Sequence, residues 1–292
     1  MSGRAVLCAG MATLDLLQRV AEFPGPNEKV TAERAELDAG GPATGAAVTA
    51  AALGSTTSLL TALGAHPMAG LVAAELSRCG VELLDVTPDD PTPPVVSAVT
   101  IHSATGSRSV VSRAAAGDDP DPGELPRGDH DAVLVDGHRP ALARAAVAHA
   151  ERIGAPVVLD GGSWKPVLSE ILSRVDLAVC SADFRVPGTA GADEQPAALF
   201  ERGVGAVAVT RGPEDVLWWL PDGQWGSVAV PEVEAVDTLG AGDVFHGAVL
   251  HAVAGGYEPS ELSGTLAFAA EVAADRVRHP GRSVWLRESR RR

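Results

Sequence analysis

Residues 236–248 run Val236-Asp237-Thr238-Leu239-Gly240-Ala241-Gly242-Asp243-Val244-Phe245-His246-Gly247-Ala248. A polar turn passes straight into an apolar, alanine-rich helix. Two glycines two apart let the backbone turn tightly and approach a ligand. The helix start then points unpaired N–H groups and the positive end of its dipole at that ligand. Asp243 falls in the first helical turn, where an acid is also a common cap. Capping does not explain Gly240 and Gly242 ahead of it, nor Asp237 and the Thr238 hydroxyl at the loop entrance. The stretch is that of a phosphate cradle with a base beside it. Phosphoryl transfer asks for little more than positioning, charge stabilisation and one group to receive a proton.

The string Asp-Thr-x-Gly-Ala-Gly-Asp, on a chain of 292 residues, resembles the signature of the ribokinase-like (PfkB) family of carbohydrate and nucleoside kinases. The resemblance implies an α/β fold with a mainly parallel central sheet, helices on both faces and a small β lid. It implies Asp243 as general base and Gly240, Ala241 and Gly242 as the anion hole, with Thr238 at the nucleotide side. ATP and Mg2+ are the cofactors it implies, with activation by a monovalent cation left open.

Composition sets the bounds around this motif. A chain of 292 residues, 46% hydrophobic, is enough for one large α/β domain, expected over residues 1–292. A net charge of -15 argues against nucleic acid or an anionic membrane as partner. Cys8, Cys79 and Cys180 match no zinc spacing, and no apolar run is long enough to span a bilayer, so a soluble, cytoplasmic protein is expected. Lysine occurs only as Lys29 and Lys165, with arginine elsewhere. An ammonium and a guanidinium are not interchangeable in a crowded site, so both positions are functional candidates.

From the N-terminus, residues 4–10 form a first buried strand, and Asp15 follows at the position where the family holds sugar hydroxyls. Residues 11–38 and 95–115 alternate as exposed antiparallel strands do, the second set around Ala104-Thr105-Gly106, and together they make the expected lid. Lys29 lies on it as a candidate for an anionic group on the substrate. Gly40 and Gly41 resemble the family's glycine pair at the sugar site. Many relatives place an Asn four residues later; this chain has Gly45.

Strand and helix then alternate. The strand ends bring Asp136, His138, Asp160 and Lys165 to the carboxyl edge, where ligands bind open α/β sheets. His138 is a candidate substrate contact. Lys165, closing the loop Asp160-Gly161-Gly162-Ser163-Trp164, is a candidate for the ATP phosphates. Where relatives carry Asn-x-x-Glu near magnesium, Ser181-Ala182-Asp183-Phe184 stands here, leaving Asp183 as the metal candidate. Thr210 and Gly212 resemble the nucleotide-side Thr-x-Gly. Two helices are expected over 241–255 and 259–277, with Ala270 in the segment that meets adenine in the family and a frayed tail over 287–292.

Among relatives, the Gly-Gly-Pro start, the Leu-Asp-Gly loop and Gly-Asp-Val-Phe-His-Gly-Ala look most similar to kinases of ketoses and of sulfofructose. The expected partners are a small ketose or acidic sugar and ATP, with a homodimer formed through the lid. A nucleoside kinase, or a non-catalytic sugar or nucleotide sensor on the same scaffold, is the alternative. The intact Asp243 speaks against the sensor, and the scarcity of aromatics in the first lid region against the nucleoside.

Overall fold

The structure, a computed structural model, describes residues 4–112, 122–123, 125, 128–189, 191 and 194–289. An inner strand of its main sheet is β1 (Ala5–Ala9), an unbroken apolar run because both of its faces are covered. Val6 and Cys8 join the core on one side of the sheet, Leu7 and Ala9 the core on the other. β1 pairs in parallel with β4 (Thr56–Thr61) and with β8 (Ala132–Val135). β5 (Val81–Asp85) lies outside β4, and β9 (Val157–Gly161), β10 (Leu177–Ser181) and β11 (Ala206–Arg211) continue the parallel run beyond β8. The hairpin β12 (Glu214–Trp219) and β13 (Trp225–Val228) closes the nine-stranded sheet antiparallel.

Helices α1 (Pro42–Ala52), α2 (Pro67–Cys79), α6 (Ala241–Val253) and α7 (Leu262–Val277) cover one face. α3 (Pro140–Ile153), α4 (Leu168–Ile171) and α5 (Gln195–Phe200) cover the other. With few aromatics, the core is filled by small residues that let helices approach closely. At Gly247 an added Cβ would lie 2.4 Å from the Ala46 carbonyl oxygen, so α6 and α1 meet backbone to backbone there. This fixes α6, and with it Asp243, against α1.

A second, four-stranded sheet holds β3 (Arg34–Gly40), β2 (Thr13–Val20), β6 (Val95–His102) and β7 (Arg108–Ser112) in that order. β2 and β6 run parallel; the outer pairs are antiparallel, and Asp15 stands directly opposite Asp38. Leu14, Val20, Val99 and Ile101 are buried, whereas Leu37, Val110 and Val111 are exposed. Residues 113–115, expected in the same lid, lie outside the described residues.

Two expectations change. α6 ends at Val253, and α7 begins only at Leu262 after a short turn, Pro259–Glu261. The tail expected to fray from residue 287 is helical as far as Ser289 in α8 (Arg282–Ser289). Trp285 anchors it: the ring is 2% exposed and Nε1 donates to Asp275 at 3.1 Å. No helix among the described residues is long and apolar enough to cross a membrane.

Candidate active site

The signature loop folds as its glycines require. Gly240 adopts φ 73° as the N-cap of α6, a left-handed conformation that L side chains rarely take. The Ala241 amide turns back on the Thr238 carbonyl at 3.3 Å, and the Val244 amide on that of Gly240 at 3.0 Å. The amides of Gly240, Gly242 and Asp243 have no partner among the described residues and face outward at the helix start. Of the expected set, the Ala241 amide is thus already bonded, while the Gly240 and Gly242 amides, with that of Asp243, are not.

Asp237 is held firmly at the loop entrance. It is 4% exposed, its Oδ1 accepts from the Leu239 amide at 2.9 Å, and its Oδ2 lies 2.5 Å from Arg19 and 3.5 Å from Arg276. It fastens the loop to Arg19 and Arg276. Thr238 is exposed at the loop mouth.

Asp243 lies in the first turn of α6 beside Gly45 of α1, partly open to a narrow cleft. Burial pushes its carboxyl well above the usual range, Asp160, Asp15 and Asp136 push it further, and Arg282 opposes them. A carboxylate held this way is a stronger base than a solvated one. His246, one turn on, has Nδ1 2.8 Å from the Gly242 carbonyl and 3.4 Å from Asp160, and Nε2 3.0 Å from the Val179 carbonyl. It ties the helix start to β9 and β10.

Across the cleft stands the lid. Asp15, Asp38, Gly40, Gly41, Gly45, Asp237, Gly240, Asp243, Arg276 and Arg282 line one cavity. Asp15 accepts from the Thr13 hydroxyl at 2.6 Å and sits where a Gly40 side chain would be, 2.0 Å from the added carbon. Burial raises its pKa; Thr13, Ser97 and Arg282 lower it, and Asp38 raises it again. Gly41, with φ 98°, brings its Cα side against the Met11 carbonyl, where a Cβ would meet oxygen at 2.3 Å. Lys29 is exposed in the connection between β2 and β3, outside this lining.

Asp136 is 1% exposed and accepts from the Met11, Ala43 and His138 amides, so it locks β8 to α1. His138 is half-buried beside it; burial lowers its pKa, Asp136 and Asp160 oppose, and Lys165 and Arg139 add to the lowering. Lys165 is also half-buried, pushed below the ordinary lysine value by burial against the pull of Asp136 and Asp160. The structure thus gathers Lys165 with His138 at the ends of β8 and β9.

Thr210, one residue before the end of β11, has its hydroxyl 3.4 Å from the Cys180 carbonyl, and Gly212 turns the chain at φ 65°. Asp183 is exposed and without a partner among the described residues. Ala270 is 2% exposed and faces the core, so in this conformation it offers no surface to a base; Ala267 and Phe268 on the same helix are less buried. A hollow of about 700 Å³ opens between Asp131, Asp176, Gly203 and Tyr257 at the amino ends of the strands, the edge opposite to the one where such sheets bind ligands.

The family model described as pfkB family carbohydrate kinase matches residues 4–286. The chain belongs to that family. It is accordingly a phosphotransferase with a hydroxyl acceptor and a sugar kinase by family. A ribokinase-type protein of Agrobacterium tumefaciens superposes with a TM-score of 0.84 at 28% identity, over 99% of this pfkB-family chain and 98% of the other. A ribokinase of Arabidopsis thaliana is 27% identical over 92% of this chain and 75% of its own length. The Arabidopsis ribokinase solved with ribose and ATP aligns with a TM-score of 0.78 at 21% identity, over 99% of this chain and 98% of that one, which shows the shared fold.

Four site groups escaped the sequence reading of this family member: Arg19, Asp38, Arg276 and Arg282. Charged residues in a lid strand or helix look solvated in sequence. Only the fold brings Arg19 and Arg276 to the signature loop, and Asp38 and Arg282 to the cavity beside it.

Proposed function

We propose that the enzyme transfers the γ-phosphoryl group of ATP to a hydroxyl of a small neutral carbohydrate of the ketose kind, with Asp243 as general base. One observation carries this: a carboxylate of raised pKa stands beside three free amides and faces a cavity whose other wall is Asp15, Gly40 and Gly41. Asp15 and Asp38 accept hydroxyls of the sugar and orient it. Asp243 takes the proton as the hydroxyl attacks, and the Gly240, Gly242 and Asp243 amides receive the charge on the transferring group.

Lys165 and His138 border the path of the phosphates, and Thr210 and Gly212 the nucleotide. Mg2+ keeps several waters and needs few protein ligands, and the open Asp183 carboxylate suits that role. When bound, the ion neutralises phosphate charge. Asp15, Asp38 and Asp243 line the cavity while its arginines, Arg276 and Arg282, are already paired with Asp237 and Glu75, which disfavours an acidic sugar over a neutral one. Lys29 is the residue that would serve an acidic substrate if one bound.

Release of ADP across a panel of ketoses, acidic sugars and nucleosides tests the reading. Neutral ketoses are expected to lead; turnover confined to nucleosides would replace it. The exposed Leu37 and Val111, which the strand register sets on one face of the lid with Leu16 and Ala98, support a homodimer through that face. Val111→Asp is expected to shift sedimentation to the monomer.

A further inference from the structure

Arg276, in the last turn of α7, is 2% exposed and permanently charged. One terminal nitrogen donates to the carbonyls of Asp237 at 3.3 Å and His279 at 3.0 Å. The other donates to the Leu239 carbonyl at 3.0 Å and the Asp237 carboxylate at 3.5 Å. Main-chain oxygens from two separate loops thus converge on one positive centre. Oxygens so gathered repel one another unless a cation sits among them, and carbonyls with a carboxylate are the donors a hard cation takes.

In this chain a guanidinium already fills that place. Arg19 adds a second guanidinium 2.5 Å from Asp237, so another cation there would meet two positive charges and one carboxylate. The held oxygens also matter by position. Leu239 directly precedes Gly240, whose amide opens the cradle, and the Val236 and Asp237 amides both donate to the Val277 carbonyl. The loop entrance is strapped to the end of α7 on all sides.

We propose that Arg276 is a positioning residue, a cation built into the chain that fixes the signature loop, and that the enzyme therefore turns over without a bound monovalent cation. The proposal rests on the sugar-kinase reading only in taking this loop as the receiver of phosphoryl charge.

The wild-type protein is assayed with MgATP and the best sugar of the panel in choline chloride, sodium chloride or potassium chloride at equal ionic strength. The rate and the unfolding midpoint are expected to be the same in all three. Arg276→Met is expected to keep both KM values while kcat falls about 10²-fold, the cost of a small misplacement of reacting groups. Potassium or dilute guanidinium is expected to restore part of the loss, and Arg276→Lys to keep part of it.

A wild-type rate that needs potassium overturns the proposal, as does a folded Arg276→Met variant with the original kcat. Should that variant fail to fold, the wild-type comparison decides alone. Asp243→Asn in the same assay separates the two failures: retained turnover there removes the site reading, whereas cation dependence beside a dead Asp243→Asn removes only the role of Arg276.

Discussion

A side-chain carbon on Gly45 would lie 2.5 Å from Cβ of Asp243. The glycine in the middle of α1 is what lets α6 bring its carboxylate this close. A larger side chain at position 45 has no room here while Asp243 keeps this position.

Gly45→Ala separates crowding from helix propensity. In an open helix the change stabilises by about 0.5–1 kcal/mol. Here overpacking is expected to win and to destabilise by about 1–3 kcal/mol, with turnover reduced as Asp243 is displaced. Urea unfolding and kcat measured together check this. A more stable variant with normal turnover would show that the two helices have slack.

Asp243→Asn is expected to cost ~10²–10⁴-fold in turnover while calorimetric affinity for ATP largely survives. Lost ATP binding would make Asp243 a structural cap.

The same variant changes stability with a definite sign. The folded carboxyl holds its proton more tightly than the unfolded one, so wild-type stability falls as pH rises from the ordinary aspartate range through the raised folded value. Asn lacks this term and is expected to be the more stable protein near neutrality, by about 1.4 kcal/mol for each tenfold difference in proton affinity. The gap is expected to close below the ordinary aspartate range. Thermal unfolding across pH reads it directly.

Asp160 is the largest charged contributor to the raised Asp243 pKa. Asp160→Asn keeps the shape and removes the charge, so Asp243 ionises at lower pH. The acid limb of the kcat/KM profile is expected to move downward, and an unmoved limb would assign it to another group.

Lys165→Met is expected to raise the KM for ATP more than that for the sugar, since the half-buried ammonium stands at the carboxyl edge beside Asp136 and Asp160. Equal effects on both would place the lysine at the junction of the two substrates instead of on the nucleotide.

The unbroken apolar runs of β1 and β8, the apolar start of β9, the hairpin β6 and β7, and the glycine-rich start of α6 are all local patterns. Each is dictated by neighbouring residues alone: burial on both faces, alternation on one face, or a backbone turn that only glycine takes. That is why the sequence by itself determined the α/β layering, the signature loop and Asp243 at a helix start.

The rest depended on which distant segments meet. Arg19 reaches Asp237 across 218 positions, and Asp38 faces Asp15 only through the register of β2 and β3. That Asp237 pairs with Arg19 and Arg276, that the Ala241 amide is bonded to Thr238 and that residues 287–289 stay helical all follow from packing. Charge pairing and burial are properties of neighbours in space, and the tertiary structure alone supplies those neighbours.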